Sequence, residues 1–345
     1  MNKKIYILVF FVVCHTLLLN AQNTIISSGY NGPTEMLLNG NDLYIAEFFG
    51  NKISKINITA NLPTPVTVIS GVSAPYGLAL KNNELYIAES GANRIIKIDI
   101  SQSSPTSTVV ATGVNAPYGL AILGNDLFVA EYGGNKVSKI NITSSSPTPI
   151  AFINGLINPS SILINGNELY VSEYNGGKII KVDATLNNPT STTVIGGLNK
   201  VFGLLIDNND LFIADNNGRI SKTNLTSSSP TLSLIQSGLL YPVGLINYNN
   251  KLYTTELLGN RIISLNSVTL STNEMEPSDT MLFPNPAQNV LYVKGINQNM
   301  PYIITNLSGA IVKKGTAQNE ILIDTIASGL YFLKLGNTIH KFIKN

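Results

Sequence analysis

Between residues 24 and 270 the chain is written in short apolar runs rich in Ile, Leu, Val and Tyr, punctuated by Asn, Gly, Ser and Pro. That rhythm predicts many short strands joined by turns. One phrase recurs: GPTEMLLNGNDLYIAE, APYGLALKNNELYIAE, APYGLAILGNDLFVAE, NPSSILINGNELYVSE, KVFGLLIDNNDLFIAD and YPVGLINYNNKLYTTE. The copies end on Glu47, Glu89, Glu131, Glu173, Asp215 and Glu256, spaced by 42, 42, 42, 42 and 41 residues. Within a copy, GLAL at 77–80 reads as a first strand and LYIA at 85–88, after an Asn/acidic turn, as a second. NRIIKIDI at 93–100 supplies a third, and the turn SQSSPTS delivers a fourth, TVVAT at 108–112.

LYIA has bulky residues pointing in both directions, so both faces of such a sheet need cover. A radial ring of four-stranded sheets provides it, and a repeat of 42 residues fits one propeller blade. The ends of the array favour a closed ring over a linear solenoid. TIISSG at 24–29 resembles a fourth strand, like TVISG at 67–71 and LIQSG at 234–238, yet it precedes the first complete copy. The sixth copy reaches RIISL at 261–265 and continues only weakly at SVTL. The N-terminal strand therefore completes the last sheet, removing two exposed edges. The predicted fold is all-β: a six-bladed β-propeller over residues 22–270, a polar linker at 271–280, and a small antiparallel, sandwich-like β-domain at 281–345.

Each terminal carboxylate is followed, four or five residues on, by Lys52, Arg94, Lys136, Lys178, Arg219 or Arg261, with Asn51, Asn93, Asn135, Gly177, Gly218 or Asn260 just before. The expectation is structural: the carboxylate accepts backbone N–H bonds in the loops and pairs with the base, while Asn or Gly takes the left-handed turn. Catalysis by acids needs unequal environments, which six escorted near-copies do not provide. Lys55, Lys97, Lys139, Lys181 and Lys222 form a second row, with Ser264 in the sixth copy. These lysines read as exposed heads on packed stems.

The copies differ most where strand four leads into the next strand one and where strand two turns into strand three. Those positions read Thr34, Tyr76, Tyr118, Ser160, Phe202 and Val243, then Phe48, Ser90, Tyr132, Tyr174, Asn216 and Leu257. Tyr30, Phe49, Tyr241 and Leu258 enrich the same face. Such a rim either plugs gaps between blades or binds a sugar, a hydrophobic peptide or a protein. Phe48, Tyr76, Tyr118, Tyr132, Tyr174 and Phe202 are the candidate ligand-binding residues; no catalytic or metal-binding residue is assigned.

Other chemistry is sparse. Lys3 and Lys4, the apolar run Ile5–Leu19 and Ala21 read as a signal peptide over 1–21. Its removal takes the formal net charge from +2 to 0 and discards Cys14 and His15, leaving His340 as the one histidine and no thiol. Stability must then come from packing rather than disulfides. The balanced charge excludes a basic nucleic-acid surface, and no mature segment is long and apolar enough to span a bilayer. No zinc pattern, cysteine nucleophile or calcium loop is visible, and the chain reads as a monomer without a cofactor.

The phrase PYGLALKNNELYIAESGANRIIKIDI at 75–100 resembles the NHL-repeat propellers and, more broadly, the gluconolactonase-like and virginiamycin B lyase-like propellers. The resemblance covers roughly residues 24–270 and implies the fold. For the lactonase-like group it also implies a divalent metal among central carboxylates and asparagines; for the lyase-like group, a histidine-containing site that these repeats lack. LFPNPAQNVLYVKG, YIITNLSGAIVKKG, ILIDTIASGLYFLKL and KFIKN resemble the C-terminal sorting domain of the Bacteroidetes type IX secretion system. That implies type IX machinery as a partner and release or attachment at the cell surface. Asp279-Thr280-Met281 and Asp324-Thr325-Ile326 resemble that phylum's O-glycosylation sequence. The expected function is an exported, noncatalytic binding propeller for a carbohydrate, peptide or surface protein. The alternative is a metal-dependent, lactonase-like hydrolase or lyase with a central site between blades.

Overall fold

The computed structural model describes residues 23–265, 281–294, 300–306, 311–335 and 338–345. The signal segment, SVTL and the linker at 271–280 lie outside the described residues. The chain divides into two compact units, residues 1–271 and 272–345.

The first unit holds six four-stranded antiparallel sheets. The second is typical: Pro75–Lys81 innermost, then Glu84–Glu89, Arg94–Asp99 and Thr108–Thr112 outermost. The sixth has Pro242–Tyr248, Lys251–Glu256 and Arg261–Leu265, and its outer strand is Thr24–Ser28 from the start of the chain. Thr24 pairs with Ser264 and Ser28 with Arg261, so the ring closes as the sequence predicts.

Second strands are buried at five of their six positions, which is the two-sided cover that LYIA demanded. Six core clusters accordingly belong each to two neighbouring sheets. Tyr86, Ala88 and Ile95 of the second blade pack with Leu120, Leu127 and Val129 of the third. Met36, Leu43 and Ile45 of the first pack with Ile246, Tyr253 and Ile262 of the sixth. A fully buried Leu or Ile contributes about 1.5–3 kcal/mol, so these inter-blade seams are the main source of cohesion.

Every outer strand carries one extra residue. In the first blade Ile53 faces Ile69 while Ser54 faces Thr67, leaving Val68 as a bulge. The N-terminal strand does the same at Ile26, between Ile25 and Ser27, and Ile26 joins the core shared by the first and sixth blades. The closing strand thus reproduces the detailed pairing of its five counterparts.

The inner strands crowd together at one level. A Cβ on Gly77 would stand 2.1 Å from the Tyr118 carbonyl oxygen, and one on Gly203 would stand 1.8 Å from that of Val243. Gly119 and Gly244 meet the next blade in the same way. Glycine in PxG is therefore a close-approach residue. The first and fourth blades depart from the rule with Glu35 and Ser161. There the preceding hydroxyl takes over the join: Thr34 Oγ1 donates to the Tyr76 carbonyl at 3.1 Å, and Ser160 Oγ to that of Val201 at 2.7 Å.

The second unit has a three-stranded sheet of Met281–Phe283, Val290–Lys294 and Glu320–Leu322. A four-stranded sheet runs in the order Ile311–Ala317, Met300–Thr305, Gly329–Leu335, Thr338–Lys344. Leu291, Val293, Ile304, Ile321, Leu333 and Phe342 pack into its single core.

The close approach gives a direct expectation. Gly203→Ala should cost about 1–3 kcal/mol, because backbone must shift to admit the methyl group. Ser161→Gly at the equivalent seat should stay within about 1 kcal/mol, since the fourth blade is joined through Ser160 instead. Urea midpoints of the two variants check the order.

Candidate functional site

Five of the six repeated carboxylates close a link between blades. Glu47, Glu89, Glu131, Glu173 and Glu256 are buried and accept the N–H groups of Asn31, Ser73, Asn115, Ile157 and Leu240 at 2.7–2.9 Å. These donors lie in the segment entering the same blade, where no ladder partner exists. The left-handed residue holds the link from the other side: Asn51, Asn93, Asn135 and Asn260 accept from Ala74, Ala116, Asn158 and Gly32. All six Asn or Gly positions have φ between 52° and 71°.

The charge of each carboxylate is met in two ways. In the second and sixth blades Arg94 Nε and Arg261 Nε donate directly to it. In the first and third the base is lysine, 3.3 Å and 3.5 Å away, and Ser54 and Ser138 add a hydroxyl. The fourth blade has lysine but Ile180 in place of serine, and Glu173 Oε1 is left without a hydrogen bond. The fifth breaks the equivalence assumed from the sequence. Asp215, one methylene shorter, accepts from Asn217 N and Arg219 N of its own loop, and a cavity of about 220 Å³ opens beside it. The lysine row also has partners: Lys55, Lys97, Lys139, Lys181 and Lys222 pair with Asp42, Glu84, Asp126, Glu168 and Asp210.

The six rim residues converge. Tyr76, Tyr174, Phe202 and Val243 are buried in one cluster with Phe48, Tyr118, Tyr132, Tyr241 and Leu257 packed on it. The rings form a continuous arc: Tyr76 stacks on Tyr118 at 3.9 Å, Tyr118 on Tyr132 at 4.4 Å, and the contacts continue through Tyr174 and Phe202 to Tyr241. Both connecting segments come to this face, as the Phe48 N–H to Gly32 carbonyl bond at 2.8 Å shows. Between the rings lies a cavity of about 150 Å³. Burial pushes the Tyr118 phenol up to about 12 and the Tyr76 phenol well above its ordinary value, so both remain neutral donors. The Tyr76 hydroxyl is buried and has no partner.

Glu35 is an acid outside the repeated row, at a position where no other copy has one. It sits in the bulge of the innermost strand Pro33–Asn39, between the Pro33–Glu47 and Met36–Ile45 pairs. It is half-buried by accessible surface, and the surrounding protein still desolvates its carboxyl. Burial raises its carboxyl to about 7, offset in part by the Met36 N–H at 3.2 Å. Among the described residues no basic side chain forms an ion pair with it. Its charge reaches the Tyr76 phenol and helps to raise it. The signal was available in the sequence: GPTE stands where four other copies read glycine.

The donor set for the metal implied by the lactonase resemblance is not found. At the Glu35 level the other blades offer Gly77, Gly119, Ser161, Gly203 and Gly244, and no group of three or more His, Cys, Asp or Glu occurs among the described residues. Nor is any helix there long and apolar enough to cross a membrane.

Residues 281–345 match the model of the secretion system C-terminal sorting domain. The chain is thus an exported substrate of the type IX machinery, destined for the cell surface or the medium. Among curated proteins, none matches the sequence. Among solved structures, virginiamycin B lyase from Staphylococcus aureus is similar at 18% identity and a TM-score of 0.54, over 79% of this chain and 94% of that one. A catalytically inactive histidine-to-alanine form of that lyase, with quinupristin, gives 19% and 0.54 over the same shares. The calcium-binding protein regucalcin from Agrobacterium tumefaciens gives 11% and 0.56, over 72% and 97%. At these identities the likeness is one of fold, a six-bladed propeller shared with lyases.

The expectation of a noncatalytic binding propeller is corrected here. It rested on the absence of histidine chemistry and on six equivalent carboxylates. Lyases share the fold over most of the chain, and a seventh carboxyl, Glu35, has a different environment from the six.

Two stability measurements follow. Glu131→Ala strands the Asn115 N–H and the Ser138 hydroxyl and should cost about 2–4 kcal/mol; Lys136→Ala, at a part-exposed base, should cost under about 1. Lys178→Arg should raise the melting temperature by supplying Glu173 Oε1 with the hydrogen bond it lacks. Thermal unfolding of the three variants checks both.

Proposed function

We propose that the propeller is an exported lyase that works at the centre of its aromatic face, with Glu35 as general base and Tyr76 as hydrogen-bond donor. The observation that carries the reading is Glu35, a lone acid at an axial seat otherwise held by glycine or serine, with a carboxyl near 7. A base of that strength matches neutral pH, where both of its protonation states are available. The kinship to NHL-repeat propellers and a Bacteroidetes source belong to the same proposal.

In an elimination the Glu35 carboxylate takes a proton from carbon next to a carbonyl. The C–H electrons form a C=C bond, and the C–O pair leaves with the oxygen. Tyr76, held neutral by burial, donates its hydrogen bond to that oxygen, which gains a proton overall as Glu35 returns to the carboxylate. The ring-lined cavity beside Tyr76 holds the substrate and excludes water. The lyase of Staphylococcus aureus loses activity when a histidine is changed to alanine. Residues 22–270 contain no histidine, so Glu35 is the base proposed in its place.

The test is a screen of cyclic and linear esters with the full chain, reading ultraviolet absorbance of a new C=C bond. Glu35→Gln should lower kcat by at least a hundredfold, and the rate should rise with pH through about 7. Product carrying oxygen-18 from labelled water, with no new double bond, would replace elimination by hydrolysis. Glu35→Gln at full activity would remove the proposal.

The same group sets a stability slope. Its folded value lies above the ordinary carboxylate value, so the neutral form favours the fold and ionisation opposes it. The melting temperature of the wild-type protein should fall as pH rises from 5 to 8, and Glu35→Gln should flatten that fall.

A further inference from the structure

The rings that line the cavity also bear on what it receives. Phe48, Phe49, Tyr76, Tyr118, Phe202 and Tyr241 supply six aromatic walls, with Val243 and Leu257 completing them. No lysine, arginine, amide or carboxylate lines this space. A sugar would leave most of its hydroxyls unmatched against three phenols, at a cost of about 1–3 kcal/mol for each stranded group. An apolar group would be accommodated, but it would gain nothing from the charge at Glu35.

A positive, weakly hydrated group gains from both. Aromatic faces carry negative potential and attract alkylated ammonium ions. On this same arc Lys200 already places its ammonium 5.6 Å from the Tyr174 ring centre. Tyr76 connects the cavity to the strand that carries Glu35, since its ring lines the cavity and its carbonyl accepts from Thr34, the residue before Glu35. Its unpartnered buried hydroxyl is left to receive a polar atom beside the cation.

We infer that the aromatic cavity is a cage for a quaternary or tertiary alkylammonium group, carried by the substrate of the lyase reaction proposed above. The cage rests on that reading for the identity of the site, but its occupancy is measured without turnover. The probes are choline and its neutral isostere 3,3-dimethylbutan-1-ol, titrated into the full chain by calorimetry at pH 8, where Glu35 is ionised.

Choline should saturate a single site with at least tenfold preference over the isostere. Glu35→Gln should reduce that preference without altering isostere binding, and Tyr118→Leu should weaken choline at least fivefold. If Tyr118→Leu fails to fold, Phe49→Leu, at a half-exposed ring, takes its place. Equal affinity for both probes would make the cavity a plain apolar pocket, and absence of binding by either would remove the site; both outcomes overturn the inference. Choline selectivity with no elimination from any ester would keep the cage and discard the lyase. Elimination that depends on Glu35 without choline selectivity would do the reverse.

Discussion

A link between two blades must leave one sheet and enter the next, and its N–H groups have no ladder partner while it does so. A glutamate at the end of the second strand meets that need from below in five of the six blades, and an asparagine or a left-handed backbone carbonyl meets it from beside. Because the acid is buried, it in turn requires a base or a hydroxyl, which accounts for the regular Lys or Arg. The repeat of 42 residues is the repeat of this clamp. Where it shortens to 41, Asp215 fails to reach the link and a cavity opens.

With the links fixed, the axial seats become free to vary. Four of them must be glycine because the next backbone lies within van der Waals radius of any Cβ. The first and fourth blades escape through the Thr34 and Ser160 hydroxyls, which hold the neighbouring carbonyl and leave room for a side chain behind. Glu35 occupies one such opening and Ser161 the other. This acid arises from a scaffold exemption, and it differs from the clamp acids in having no ion-pair partner among the described residues, so burial raises its carboxyl instead.

Much of the fold was legible. Outer strand Thr108–Thr112 and third strand Arg261–Leu265 fall where the turn residues place them, and closure by Thr24–Ser28 was readable from its likeness to other outer strands. The aromatic arc was readable as a set, since the deviations between copies named all six of its predicted members. Tyr241 and Val243 were placed on the same face by their positions in the repeat, and the closed ring brings them beside Phe48 at the cavity. Glu35 was missed for a physical reason. In sequence it is marked only by standing where four copies read glycine, and the crowding of the inner strands is what gives that substitution its meaning, as a seat that normally rejects any side chain.

The sixth blade is joined unlike the others. Elsewhere an outer strand is tethered to its neighbour by a turn; here Thr24–Ser28 meets Arg261–Leu265 through ladder bonds and packing alone. Mechanical load applied at the two ends of the propeller would peel this pair strand from strand. The circle therefore cannot complete until the segment through Leu265 is available to receive the first strand, so the two ends of the propeller are the last parts that can lock together.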